Sequence, residues 1–336
     1  MTRWLAALML LAVALPLRFA HPQGPPPVGA TGQTEILATP LPRCQGAPQC
    51  LPSFIARLKH APFPIGTNSD GEGGRFFGET ERDTGLRVRV NRHGDRYPEH
   101  LHYSDPSVLF HVPPGFDPAK PFRLLVFFHG HSNTLERDVV RRIRLTQQVD
   151  ISGANVILIA PQLAKDAIDS HPGKLIREGA LARMLDEAAG VLGRALGRGK
   201  ARRILSAPVV LASYSGGYRA LAAGLADETL ARRVEGIILL DTVFGEVRRI
   251  DNWLKARAGR VFVAGLYSAL SARWTVDLMY RWEERSLGYG FVMPARIGAG
   301  TVFMAPVATD HEAIASDGPP AHPLASILER LAGPQR

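Results

Sequence analysis

"VVLASYSGGYRAL", residues 209–221, is the stretch whose reading decides the fold. Val209, Val210, Leu211 and Ala212 form a continuously apolar run, and from Tyr218 onward the chain carries apolar residues at helical spacing. Between them lies Ser213-Tyr214-Ser215-Gly216-Gly217, a corner with little side-chain bulk. A buried strand therefore turns sharply into a helix. A serine at the centre of so tight a turn must take a strained backbone, and bulky neighbours would clash with it. In return, its hydroxyl is exposed at the amino end of a helix, beside free backbone N–H groups.

Working outward, the same kind of apolar run recurs: LLVFF (124–128), VILIA (156–160), GIILL (236–240), VFVA (261–264) and VFM (302–304). Continuous hydrophobicity predicts strands covered on both faces. The intervening segments 176–196, 218–225 and 246–256 have helical spacing. Strand and helix in alternation predict an α/β domain, a mostly parallel central sheet with helices on both faces. Reactive groups should then collect at the carboxyl ends of the strands. LRVRV (86–90) and SVLFHV (107–112) read as half-exposed strands.

The corner at 213–217 resembles the nucleophile elbow of the α/β-hydrolase superfamily, Gly-x-Ser-x-Gly, with Ser213 in place of the first glycine. The resemblance covers about residues 85–330. It implies a serine hydrolase with Ser215 as nucleophile. A hydroxyl is a weak nucleophile until a base takes its proton. The superfamily places that base after the last strand, where His311 follows VFMAPVATD (302–310). The acid usually follows the strand at 261–266, but YSALSARW (267–274) contains none. The preceding strand ends in Asp241, and some members carry their acid there. Asp241 is preferred, with Asp277 and then Asp251 as alternatives. The order Ser215, Asp241, His311 is that of the superfamily.

For the oxyanion, the resemblance implies the backbone N–H of Gly216 and that of His131, which follows the His129-Gly130 pair, with Asn133 shaping the loop. His129 reads as structural. His129 and His131 lack a third ligand at a telling spacing, so no metal site is expected, and the chemistry requires no cofactor. The loop PQLAKDAIDSHPG (161–173) leaves its strand at the same sheet edge. Its polar residues, Gln162 and His171 among them, either line a substrate cleft with Asn133 or satisfy their own backbone. Trp274, Tyr280 and Trp282, with Leu278 and Met279, read as core, a lid or acyl pocket being the alternative. The implied activity is cleavage of a carboxylic ester, in a small molecule or a polymer, through an acyl-enzyme. Two alternatives stay open: an amide or peptide hydrolase of the cell envelope, and a non-catalytic binding protein on the same frame.

The ends of the chain speak to location. Residues 1–20 have the form of an export signal: Arg3, an apolar stretch over 4–17, and a small residue at Ala20. The stretch is shorter than the roughly 20 residues of a membrane span. Ala12-Val13-Ala14 offers a second cut, and an uncleaved anchor is the alternative. Residues 21–84, rich in Pro and Gly, predict an irregular arm, leaving 85–336 as the hydrolase domain. Cys44 and Cys50 are the two cysteines. In an oxidising compartment they predict a disulfide, stabilising by about 2 kcal/mol. A periplasmic or secreted protein is expected. The net charge of +9 comes with arginine scattered along the chain, so nucleic acid is not an expected partner. The densest run, RGKARR (198–203), reads as a solvated turn.

Overall fold

The computed structural model describes residues 36–37, 53–91 and 93–333. The expected signal over 1–20 and the Cys44–Cys50 pair lie outside the described residues. In chain order the strands are β1 (Ile36–Leu37), β2 (Phe54–Arg57), β3 (Glu79–Thr80), β4 (Arg87–Val90), β5 (Arg96–Pro98) and β6 (Ser107–His111). They continue as β7 (Arg123–Phe128), β8 (Val156–Pro161), β9 (Val209–Tyr214), β10 (Val234–Leu240), β11 (Phe262–Tyr267) and β12 (Val302–Pro306). The helices are α1 (Glu99–His102), α2 (Leu145–Ser152), α3 (Ala180–Leu196), α4 (Ala201–Ser206), α5 (Tyr218–Leu225), α6 (Val247–Ala256), α7 (Ala272–Glu284) and α8 (Pro323–Leu328).

One sheet runs in the order β1-β2-β6-β8-β7-β9-β10-β11-β12. From β8 to β12 every neighbour is parallel, and β6 is antiparallel to both β2 and β8. This is the α/β-hydrolase fold. After β7 the chain winds outward to β8, then crosses back to β9. The connections after β7 and β9 therefore diverge, and a crevice opens between their carboxyl ends. The register levels those ends: Phe128 pairs with Ser213, and Leu240 pairs with both Tyr214 and Leu266. Whatever follows these positions emerges at one rim.

The continuously apolar strands are explained by two cores, one on each face of the sheet. Leu124, Val126 and Phe128 of β7 face one side, with Leu211 of β9 and Leu239 of β10. Leu125, Phe127, Ala212 and Leu240 face the other. Helices α3, α5, α6 and α7 cover the first face through Leu181, Leu221, Ile250 and Trp282. Helices α2 and α8, with the π-helical segment Leu135–Arg142, cover the second through Val149, Ile327 and Val139.

Two expectations are corrected. The segment 21–84 is not irregular throughout: Phe54–Arg57 is a strand of the main sheet, paired with β6. Phe63, Ile65, Phe76 and Phe77 build a satellite core with Tyr103. Four residues are too few to show a period, and β2 becomes a strand because β6 offers it an open edge. The second correction concerns β6, read as half-exposed: Val108–His111 are buried, because β6 lies inside the main sheet between β2 and β8. β4 is a strand as expected, in a separate antiparallel sheet with β3 and β5.

Candidate active site

Ser215 follows the last residue of β9 and opens the short 3-10 turn Ser215–Gly217 that leads into α5, with φ of 51°. That is the left-handed region, costly for a residue with a Cβ. The strain is held by tertiary contacts. Thr242, beyond β10, donates its hydroxyl to the Ser215 carbonyl at 2.9 Å. A Cβ on Gly130, in the loop after β7, would come within 2.8 Å of Ser215 Cβ. A Cβ on Gly216 would press into the His131 ring, 2.7 Å from its Nε2. Hydrogen at these two positions is what lets the loop after β7 close on the elbow.

The structure brings Ser215, His311 and Asp241 together. Ser215 Oγ lies 2.7 Å from His311 Nε2, and His311 Nδ1 lies 2.7 Å from Asp241 Oδ2. A carboxylate can only accept at Nδ1, so Nδ1 carries the proton and Nε2 presents a lone pair to the serine. The imidazole is clamped by Tyr214, stacked at 5.1 Å, and by the edge of Phe244 at 5.6 Å. Trp274 packs on Phe244 at 5.5 Å. The aromatic segment of α7 is thus divided: Leu278 and Trp282 are buried core, Tyr280 is exposed, and Trp274 sits half-buried behind Phe244.

Asp241 is buried, and its carboxylate receives four donors. Oδ2 accepts His311 Nδ1–H and the Ser268 hydroxyl, while Oδ1 accepts the Ser268 backbone N–H at 2.9 Å and the Ser271 hydroxyl. Burial pushes this carboxyl up. The hydrogen bonds from His311, Ser268 and Ser271 together outweigh burial and hold it below the ordinary carboxylate value. Ser268 and Ser271 were missed from the sequence. They stand in the stretch searched for an acid, where their signal was the pair of hydroxyls at 268 and 271. Asp277 is exposed on α7 and paired with Arg281, and Asp251 is buried on α6 against Arg285. The structure brings neither of these two alternatives to His311.

His129 is buried, 1% exposed. Its Nδ1 faces the Gly130 carbonyl at 2.8 Å, and its Nε2 accepts the Leu163 N–H at 2.9 Å. The Nε2 contact requires the neutral ring, with its proton on Nδ1. Burial, against the pull of the Gly130 carbonyl, pushes its pKa from 6.5 down to about 4. The unfolded chain then binds a proton that the native state refuses. This contribution to stability is complete above about pH 6.5 and is lost as pH falls toward 4, for roughly 3 kcal/mol. His171, lowered by burial as well, adds in the same direction. Urea midpoints measured from pH 7 to pH 4.5 should fall steadily, and a flat profile across that window would refute the assignment.

The remaining expected site residues are corrected in part. Gln162 is 1% exposed, and its side chain spans His129 Nε2, the Asn133 carbonyl and the Leu135 N–H. His171 is 2% exposed and is bonded to the Asp70 carbonyl and the Gly173 N–H. Neither lines a cleft, because each polar atom is used inside the protein. Asn133 is buried too, accepting from Arg142 at 3.2 Å. Within the 161–173 loop, Ser170 does reach the site, its hydroxyl 2.6 Å from His131 Nε2. Among the described residues, no group of three or more His, Cys, Asp or Glu is disposed to hold a metal ion, and no helix is long and apolar enough to cross a membrane.

No family model matches the chain, and no curated protein does. Solved structures do. A feruloyl esterase module from Clostridium thermocellum has a TM-score of 0.43 and 11% identity, over 82% of this chain and 96% of its own. An S-formylglutathione hydrolase from Agrobacterium tumefaciens has 0.40 and 9%, over 75% and 95%. The LpqC poly(3-hydroxybutyrate) depolymerase from Bordetella parapertussis has 0.33 and 14%, over 71% and 87%.

Proposed function

We propose that this chain, whose fold is that of the α/β-hydrolase superfamily, is a serine hydrolase cleaving a carboxylic ester through an acyl-enzyme. One observation carries the reading: hydroxyl, imidazole and carboxylate stand in a hydrogen-bonded line, at 2.7 Å and 2.7 Å, at the carboxyl rim of the sheet. Ser215 Oγ attacks the ester carbonyl carbon while its proton passes to His311 Nε2. Asp241 holds Nδ1–H and stabilises the imidazolium. The tetrahedral oxyanion is met by the backbone N–H groups of Gly216 and His131. The neighbouring Ser132 N–H is taken by the Ala167 carbonyl at 2.9 Å. Collapse breaks the C–O bond to the leaving alcohol, which takes the proton from His311. Water repeats the sequence on the acyl-enzyme, releasing the carboxylic acid and restoring Ser215.

Export belongs to the same reading, through the signal-like segment 1–20, with the enzyme acting in the periplasm or outside the cell. A fluorophosphonate probe should label the protein, and mass spectrometry should find the adduct on Ser215. No adduct, or an adduct elsewhere, would overturn the assignment. Turnover of short esters compared with peptide substrates separates esterase from amidase.

A further inference from the structure

At the opposite rim, where β9, β10 and β11 begin, an open depression of about 690 Å³ is lined by Pro208, Val234 and four arginines: Arg232, Arg233, Arg257 and Arg260. The carboxylate among its walls, Glu235, is engaged by Arg123, whose guanidinium also reaches the Ala332 carbonyl. The rest of the molecule shows what a half-buried arginine here normally does. Among the described residues, every other buried or half-buried arginine has a carboxylate within 4.0 Å, from Arg87 on Glu99 to Arg330 on Glu329. Arg233 and Arg257 do not, and both line this depression.

Their contacts fix them without neutralising them. Arg233 donates to the carbonyls of Ala207 at 3.1 Å and Ile204 at 3.2 Å, at the end of α4. Arg257 lies over the Trp253 ring at 5.6 Å, and Arg260 donates to the Ala256 carbonyl at 2.6 Å. Carbonyls and rings orient a guanidinium but carry no net charge. Burial lowers the pKa of both Arg233 and Arg257, and Arg260 lowers that of Arg257 further. Asp186 acts on Arg233 and Glu228 on Arg257 in the opposite sense, but neither is within 4.0 Å. Four guanidinium groups thus line one depression, two half-buried and two exposed, an arrangement that an incoming anion would relieve.

We infer that this depression binds a phosphate group. Planar guanidinium forks from two chain segments match the several oxygens and double charge of a phosphate, which each fork engages through parallel N–H bonds. A phosphate ester in solution and the headgroup of an anionic phospholipid offer the same chemistry. The six residues of β9 separate this rim from Ser215 by about 20 Å, so binding here is no part of the bond-breaking step and stands whether or not the hydrolase reading does.

The test titrates the full chain with inorganic phosphate by calorimetry, using chloride at matched ionic strength as control. In parallel, the chain is sedimented with vesicles of phosphatidylglycerol or of phosphatidylcholine. The variant is Arg257→Gln/Arg260→Gln, which leaves the Arg233 contacts to α4 in place, and its melting midpoint checks that it folds. Saturable phosphate binding, weakened about tenfold or more in the variant, supports the site and a soluble ligand. Binding to phosphatidylglycerol vesicles alone, lost in the variant, supports a lipid headgroup. Phosphate behaving as chloride with no vesicle binding, or either binding unchanged in the variant, overturns the proposal. Should the variant fail to fold, Arg232→Gln/Arg260→Gln takes its place, with the same outcomes.

Discussion

Ser215→Ala is expected to lower kcat for a short p-nitrophenyl ester by about 10⁶-fold, to the residual rate of a site with donors but no nucleophile. The substitution removes one oxygen atom and keeps the Cβ, so the left-handed backbone and the Thr242 bond to the Ser215 carbonyl are untouched. His311 keeps its bond to Asp241 and its stacking on Tyr214. The fold should therefore survive, with an unchanged circular dichroism spectrum and melting midpoint. The neighbouring hydroxyls are poor substitutes. Those of Ser268 and Ser271 are donated to Asp241, and that of Ser213 is fully buried. Turnover within tenfold of the parent would remove Ser215 from the mechanism.

Asp241→Asn is expected to cost about 10⁴-fold in kcat, and the reason lies in the four donors around the carboxylate. Two of them are hydroxyls and can turn. The Ser268 backbone N–H cannot, because it is fixed where β11 ends and points at Oδ1. An asparagine must present its carbonyl oxygen there, which places its NH₂ at the Oδ2 position facing His311 Nδ1. Two N–H groups cannot face each other, so the imidazole moves its proton to Nε2. In that tautomer it cannot accept from Ser215. Nitrogen chemical shifts of the imidazole report the tautomer directly, independently of turnover. Asp277→Asn, on the exposed face of α7, serves as the control and should leave kcat unchanged. An Asp241→Asn protein with near-parental kcat and Nδ1–H retained would exclude Asp241 as the orienting acid.

Much of this was legible because it is local. The apolar runs at 124–128, 209–212 and 236–240 are strands with both faces covered, and contiguous residues suffice to show it. The elbow was legible at 213–217 because a turn that tight restricts its own side chains. Asp241 and His311 could be named from their places after β10 and β12, since a parallel sheet delivers all its strand ends to one rim. β2 was hidden, because a four-residue strand has no period and exists only through its pairing with β6. The fates of Gln162 and His171 were hidden as well. A polar residue in a loop looks the same in sequence whether it meets substrate or, as here, the His129 ring and the Asp70 carbonyl.

The amino-acid sequence by itself determined the layered α/β plan, the corner that strains Ser215 and the order in which the three reactive groups leave the sheet. Each strand, helix and corner in that plan is shown by residues within a few positions of one another, and the order follows from their succession along the chain. Only the tertiary structure decided which carboxylate meets His311, that Ser268 and Ser271 hold that carboxylate ionised, and that Arg233 and Arg257 share a depression with no carboxylate within 4.0 Å of either. Each of these is a contact between groups tens of residues apart. The strand register sets their distances, and no short stretch of the chain carries them.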